Sequence, residues 1–99
     1  MAKLYIAEYG TIVGLPATAN GQVPLEPPVA DYIVTIPGTS PAFQPSTRFV
    51  RLNCDAVCSV LFGQAPSAST SNGRMAANQT EFRGVPEGQG FRVSVVANV

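Results

Sequence analysis

The sequence predicts an all-β fold, a two-sheet β-sandwich or a jelly-roll-like small barrel. Short runs rich in β-branched and aromatic residues recur along the chain between turns rich in Gly and Pro. About seven or eight strands at this spacing are typical of sandwiches and small barrels. A helix needs about ten residues of 3.6-residue periodicity without Pro or Gly. The one gap worth testing, residues 61–77, contains Pro66 and Gly73.

The strand pattern occurs in six runs. In chain order they are residues 3–8 (continued at 11–13 after a bend or bulge at Gly10), 31–36, 47–52, 57–62, 75–85 (one or two short strands) and 91–97. Residues 47–52 and 57–62 are partly apolar on both faces. With residues 53–56 as the turn, they favour a hairpin at the centre of a sheet whose second face is covered. Residues 64–73 are expected to form a loop.

The proline-rich segment 15–29 interrupts this pattern. It contains four of the nine prolines, so it is expected to run as an extended arm, loop or edge rather than as a helix or central strand. With 99 residues, the chain predicts one β domain, 1–99, with this arm at 15–29 and a core at 30–98.

Composition favours contacts with other proteins. Apolar residues make up 45% of the chain, charged residues 12%, and the formal net charge is zero. Such a surface has no long-range field for nucleic acid and favours association, so we expect a homo-oligomer (dimer or trimer) or a larger assembly. No run approaches the roughly 18 apolar residues of a membrane span. The first residues lack a signal-peptide pattern, which predicts synthesis in a cytoplasm.

The arm is the candidate partner interface. A proline-restricted segment loses little conformational freedom on binding, although a surface loop packed on its own domain is the plainer alternative. The candidate contact residues are Leu15, Pro16, Val23, Pro24, Leu25, Pro27, Pro28 and Val29. A second open question concerns Arg48, Arg51, Arg83 and Arg92, which either pair with carboxylates of a partner or lie on solvated strand faces.

No residue pattern supports an enzyme, a cofactor or a small-molecule substrate. The chain has no histidine, so the commonest general base is missing. A carboxylate such as Asp55 beside Cys54 would raise rather than lower the pKa of the thiol. Asp55 therefore fits a role in a turn better than a role in catalysis. Cys54 and Cys58 are too far apart on one strand for a disulfide, and zinc needs about four ligands. Buried free thiols are favoured, with a bridge across a turn at residues 53–56 left open.

Several segments carry a resemblance to a known group of proteins. They are Arg48-Phe-Val-Arg-Leu52, Asp55-Ala-Val-Cys-Ser-Val60, Phe62-Gly63, Pro66-Ser-Ala68, Arg74-Met-Ala-Ala-Asn78, Glu81-Phe82, Val85 and Val93 to Val96. Over residues 30–98 the chain resembles small structural proteins encoded among the head genes of tailed bacteriophages and prophages, of the capsid decoration or cement type. The resemblance implies a virion protein on the capsid surface whose partners are the major capsid protein and its own copies. A tail-fibre or spike module that binds a receptor or glycan is the alternative.

Overall fold

The computed structural model describes residues 2–14 and 22–98. Within these ranges the chain forms ten β-strands and no helix. The strands are β1 (Lys3–Tyr9), β2 (Ile12–Gly14), β3 (Gln22–Pro24), β4 (Ala30–Thr35), β5 (Gly38–Thr39), β6 (Phe49–Cys54), β7 (Cys58–Gly63), β8 (Gly73–Met75), β9 (Thr80–Gly84) and β10 (Arg92–Ala97).

Two four-stranded sheets account for most of the chain. The first sheet has the order β4-β1-β6-β9 and the second the order β5-β10-β7-β8, while β2 and β3 form a separate two-stranded ribbon. All the pairings are antiparallel. From β4 onward the chain alternates between the sheets, passing from β4 to β5, back to β6, across to β7 and β8, back to β9 and across to β10.

One hydrophobic core lies between the two sheets, as expected for a sandwich-like all-β architecture. Side chains alternate between the faces of a strand, so every second residue points inward. The first sheet contributes Leu4 and Leu52, and the second contributes Val60, Val93 and Val95, all within the same buried cluster. Burying each such side chain stabilises the fold by roughly 1.5–3 kcal/mol.

The predicted hairpin of residues 47–52 and 57–62 is wrong. The corresponding strands β6 and β7 belong to different sheets: β6 pairs with β1 and β9, whereas β7 pairs with β10 and β8. Residues 55–57 therefore form an arch across the core. Cys54 and Cys58 are both fully buried at its two ends. The arch buries the apolar inner faces of both strands against each other, which a flat hairpin would not do.

Most of the other predicted strands are confirmed with small shifts at their ends. β1 ends before Gly10 and β2 follows it, β4 and β10 lie close to their predicted positions, and β9 falls within residues 75–85. β6 begins and ends two residues later than predicted. β5 was missed because a strand of two residues, Gly38 and Thr39, has no periodic signal.

The open edge of the first sheet has charges on its inner face. In β9, Glu81 lies opposite Leu52 and Arg83 lies opposite Val50, which places both charged residues on the core side. Glu81 Oε1 accepts hydrogen bonds from Arg83 Nη2 at 2.6 Å and Nε at 3.1 Å. The Arg83 guanidinium lies near Gly73 of β8, so the ion pair lies where the edges of the two sheets approach each other. Inward-facing charges at an edge also disfavour pairing with a foreign strand.

Candidate interaction surface

The structure describes six of the eight residues that the sequence selects as the candidate interface. Val23 and Pro24 lie in β3, and Leu25, Pro27, Pro28 and Val29 follow it on the way to β4. Leu15 and Pro16, like the rest of residues 15–21, lie outside the described residues.

The described part of this segment is hydrogen-bonded to the first two strands. β3 pairs with β2, and beyond it Leu25 N donates to Thr11 O at 3.0 Å. Val29 N donates to Glu8 O at 2.7 Å. The Tyr9 hydroxyl donates to Glu26 Oε2, also at 2.7 Å. Residues 22–29 are therefore fixed against the domain rather than projecting away from it.

This fixed backbone presents apolar side chains to solvent. Val23, Leu25 and Val29 are 40%, 48% and 47% exposed, and they are three of the six large hydrophobic side chains found exposed among the described residues. We refer to these three side chains as the 23–29 surface. Leu25 and Val29 line the same cavity, and neighbouring exposed apolar side chains on a small protein are typical of a contact site for another protein.

A groove adjoins the 23–29 surface. Its cavity has a volume of about 290 Å³ and is lined by Gly10, Thr11, Leu25, Pro27, Val29, Ser46, Arg48 and Glu87. A second cavity of about 260 Å³ shares Gly10, Thr11 and Arg48 and extends to Phe49. Arg48 Nε and Glu87 Oε1 form an exposed ion pair at 3.4 Å beside the groove. The groove thus combines apolar and charged groups, and its size suits one or two side chains of a partner.

Gly10 allows the groove to form at this position. A Cβ atom at residue 10 would lie 2.8 Å from the Ser46 carbonyl oxygen, closer than a side chain tolerates. The strand direction changes here from β1 to β2, and Arg48 N donates to Tyr9 O at 2.9 Å just beside it. Only glycine lets the loop before β6 pack this closely on the β1–β2 junction.

A buried carboxylate holds that loop from beneath. Glu8 is 1% exposed, and its Oε1 accepts from Gln44 N at 2.8 Å and from Thr47 Oγ1 at 2.7 Å. Its Oε2 accepts from the Tyr32 hydroxyl at 2.5 Å. Burial and then the bond to Glu8 raise the pKa of Tyr32 well above its usual value, so Tyr32 stays a donor. The network ties β1, β4 and the loop together.

Tyr9 supports the other side of the groove. Its ring stacks on Phe49 with centroids 5.3 Å apart and planes 13° apart. Burial, followed by the hydrogen bond to Glu26, raises the pKa of Tyr9. The neutral hydroxyl therefore remains available to hold the Glu26 turn in place, and with it the neighbouring Leu25.

The two cysteines lie in the core, away from this surface. Cys54 and Cys58 are free and buried, which confirms the favoured interpretation. The Cys54 thiol donates to Ala76 O at 3.3 Å. Burial, followed by the contact with Cys54, raises the pKa of Cys58 to about 12. A thiol with this pKa is a poor nucleophile at neutral pH, because the thiolate is the reactive form.

Neither a metal-binding cluster nor a membrane-spanning helix occurs in the described part of the chain. No group of three or more His, Cys, Asp or Glu side chains that could hold a metal ion occurs within residues 2–14 and 22–98. In the same part of the chain, no helix has the length and hydropathy needed to cross a membrane.

Sequence reasoning missed a second exposed surface, on the outer side of the first sheet. We define this outer face by Tyr5, Ile33 and Phe82, which are 42%, 53% and 53% exposed. Each lies one residue away from an inward-facing residue of β1, β4 or β9. The alternation of side chains along these strands therefore indicated that Tyr5, Ile33 and Phe82 point away from their inward-facing neighbours. The sequence alone does not tell which of two apolar faces is covered.

Two of the four arginines fit neither of the alternatives left open by the sequence. Arg48 and Arg83 form ion pairs with carboxylates of the same chain, Glu87 and Glu81 respectively. Arg51 and Arg92 are exposed on strand faces. Arg51 lies on the outer face defined above, since it is opposite Phe82 in the sheet register.

Comparisons with protein-family models, with curated proteins and with solved structures yielded no match. The class of protein is therefore defined by its own features: an all-β domain with a hydrogen-bonded apolar segment beside a small groove.

Proposed function

We propose that this protein is a non-catalytic virion structural protein, a capsid decoration or cement protein. It binds the outer surface of a tailed-phage head and stabilises the lattice of the major capsid protein. The observation that carries the proposal is the 23–29 surface, where three apolar side chains about half exposed stand on a backbone hydrogen-bonded to the domain. The head-protein resemblance of residues 30–98 supplies the choice of partner.

The fixed backbone favours binding by this surface. Ordering a flexible arm costs free energy on association, and residues 22–29 have already lost that freedom in the free protein. Val23, Leu25 and Val29 would enter an apolar depression between capsid subunits, and the groove would receive a side chain from the capsid. The low charge of the chain is compatible with a contact that depends on shape and apolar area.

We further propose that the two sheets form a jelly-roll-like sandwich. The second sheet has the order β5-β10-β7-β8, and from β4 onward the chain alternates between the sheets in the way two interlocked Greek keys require. β1 occupies the position between β4 and β6. Jelly rolls occur in viral capsid and lectin domains, so this topology is compatible with the virion role without selecting it.

A receptor- or glycan-binding module of a tail fibre or spike is the second candidate. Tyr5 and Phe82 favour it, because they expose aromatic rings on the same sheet face and sugars bind to aromatic platforms. In that case the outer face, rather than the 23–29 surface, would contact the ligand.

Stabilisation follows from mass action. A protein that binds only the assembled lattice adds its binding free energy to that state, so undecorated heads should assemble but rupture at a lower temperature. Expected copy number also separates the candidates: many copies over the shell for a decoration protein, and few copies at the tail for a fibre module.

The test is to add the purified protein, as wild type or as the L25S/V29S variant, to undecorated heads at nanomolar concentration and to compare binding and protection of the heads. Both side chains are exposed, so the variant should fold normally but bind and protect the heads much less than the wild type. I33S is the matched control, because Ile33 is similarly exposed on the outer face. An equal loss in I33S, or density for this chain only at the tail in a reconstruction of the particle, would contradict the proposal.

A further inference from the structure

The outer face of the first sheet has an ordered arrangement of charges. Across the strands, one row of this face reads Asp31, Ala7, Arg51 and Phe82. The adjacent row reads Ile33, Tyr5, Asn53 and Thr80. An acidic and a basic side chain thus stand on either side of the central strand β1, at equal distances from it in the sheet.

Neither of these charged side chains is in ion-pair contact with another side chain in the described part of the domain. Asp31 and Arg51 are exposed, and among the described residues neither forms an ion pair within 4.0 Å. Neighbouring strands lie about 4.8 Å apart, so the two backbones are separated by roughly 10 Å across β1. Between them, Ala7 has only a methyl side chain, and at 1% exposure it is already covered by neighbouring atoms of its own chain.

We infer that the isolated protein forms a two-fold symmetric dimer through this outer face, with Asp31 of each copy opposite Arg51 of the other. The two-fold axis lies in the interface above Ala7 and runs nearly parallel to β1. Rotation about this axis places the β4 side of the row in one copy over the β6 side of the row in the other. It places each carboxylate against a guanidinium of the second copy and forms two equivalent ion pairs. A two-fold contact requires one surface to be complementary to itself, and this row meets that requirement.

The same two-fold axis brings apolar side chains together. Tyr5 lies on the central strand and meets Tyr5 of the second copy. Phe82, on the edge strand β9, extends beyond β4 of the second copy and lies beside its Ile33. The three exposed large hydrophobic side chains of the face, Tyr5, Ile33 and Phe82, are thereby covered by one operation.

The size of the face sets the strength of the dimer. Four strands about 4.8 Å apart and about six residues long span roughly 20 Å by 20 Å. Two copies therefore bury on the order of 1,000 Å², at the lower end of specific interfaces, so the dimer should form at micromolar concentration. This inference goes beyond the proposed function, because it concerns only copies of this chain and needs no capsid.

Charge reversal provides the test, by sedimentation of the purified protein over low to high micromolar concentration. The wild type should approach twice the monomer mass of 10.3 kDa. R51D and D31R should each weaken dimerisation at least about tenfold, because like charges then face each other. An equimolar mixture of R51D and D31R should dimerise again, and so should the D31R/R51D double variant. Rescue in both the mixture and the double variant, whose net charge equals that of the wild type, occurs only if the two positions meet between copies.

R92D is the matched control, because Arg92 is an exposed arginine on the second sheet and its reversal changes the net charge as R51D does. It should dimerise like the wild type. Far-UV circular dichroism and thermal midpoints at low micromolar concentration should be unchanged in all variants, since positions 31, 51 and 92 are exposed. A wild type that stays monomeric or forms trimers, single reversals that leave dimerisation intact, or a mixture that fails to dimerise would overturn the inference.

Discussion

Glu8 and Thr47, each only 1% exposed, are joined by a 2.7 Å hydrogen bond from the Thr47 hydroxyl to Glu8 Oε1. A carboxylate in a protein core is costly unless donors compensate for the lost water. Here the side chain of Thr47, the backbone of Gln44 and the hydroxyl of Tyr32 provide them. The bond connects the first strand to the loop that borders the groove, so this polar cluster determines the shape of the candidate interaction surface.

Removal of the Glu8 carboxylate should destabilise the domain strongly. E8A leaves three donors without their acceptor, two of them on the loop before β6, so we expect the free energy of unfolding to fall by about 3 kcal/mol. Urea unfolding measures the change. The control is E87A, which removes an exposed carboxylate and should cost at most about 0.5–1 kcal/mol. Equal losses in the two variants would contradict the assigned role of Glu8.

Stability should decline at alkaline pH. Burial, followed by the contact with Cys54, raises the pKa of Cys58 from 9.0 to about 12 in the folded protein. Between these values the unfolded chain has lost the proton that the folded chain keeps, so the free energy of unfolding falls as pH rises. The contribution is complete below pH 9 and is lost towards pH 12. Each such group gives a slope of up to about 1.4 kcal/mol per pH unit.

The tyrosines add to this decline from about pH 10, because burial also raises the pKa values of Tyr9 and Tyr32. Urea unfolding at a series of pH values measures the slope. C58A should abolish the decline between pH 9 and 10 and leave, above pH 10, only the part due to the tyrosines. A wild-type stability that is constant from pH 8 to pH 11 would show that these groups do not resist ionisation in the folded state.

Oxidation state should not affect stability. Cys54 and Cys58 are free and buried, so a reducing agent should leave the melting temperature unchanged. The C54S/C58S double variant should lose about 1–2 kcal/mol through poorer packing. C54S alone should be milder than C58S, because a serine hydroxyl can keep the bond to Ala76 O. Intact-mass measurement of unreduced protein should show both thiols, and a loss of two hydrogens would contradict this prediction.

Gly10 should be intolerant of a side chain. In G10A the new methyl group meets the Ser46 carbonyl at 2.8 Å, which should displace the loop and cost about 1–3 kcal/mol. G84A is the matched control, because no atom lies within 4 Å of a Cβ at that position. Thermal unfolding of both variants measures the difference. If the two alanine variants were equally stable, the close approach at Gly10 would have no energetic role.

The all-β class and most strand positions could be predicted from the sequence, because they depend on local patterns. Alternation of apolar and polar residues marks β10 at 92–97 and β4 at 30–35, and glycine marks the break at residue 10. The segment after β3 could also be selected as an exposed candidate interface, since prolines exclude it from a central strand.

The tertiary structure alone decided the partners of those strands and the faces that they cover. Alternation in β6 and β7 is compatible with a hairpin and with an arch, and only the need to bury both inner faces in one core places them in different sheets. Glu8 looks like an ordinary polar residue until Thr47, thirty-nine positions away, is brought against it. Which segments are extended could be predicted from the sequence, because extended structure depends on neighbouring residues. The positions of Glu8, Gly10 and the exposed row from Asp31 to Arg51 depend on contacts between residues distant in the chain, which no local pattern records.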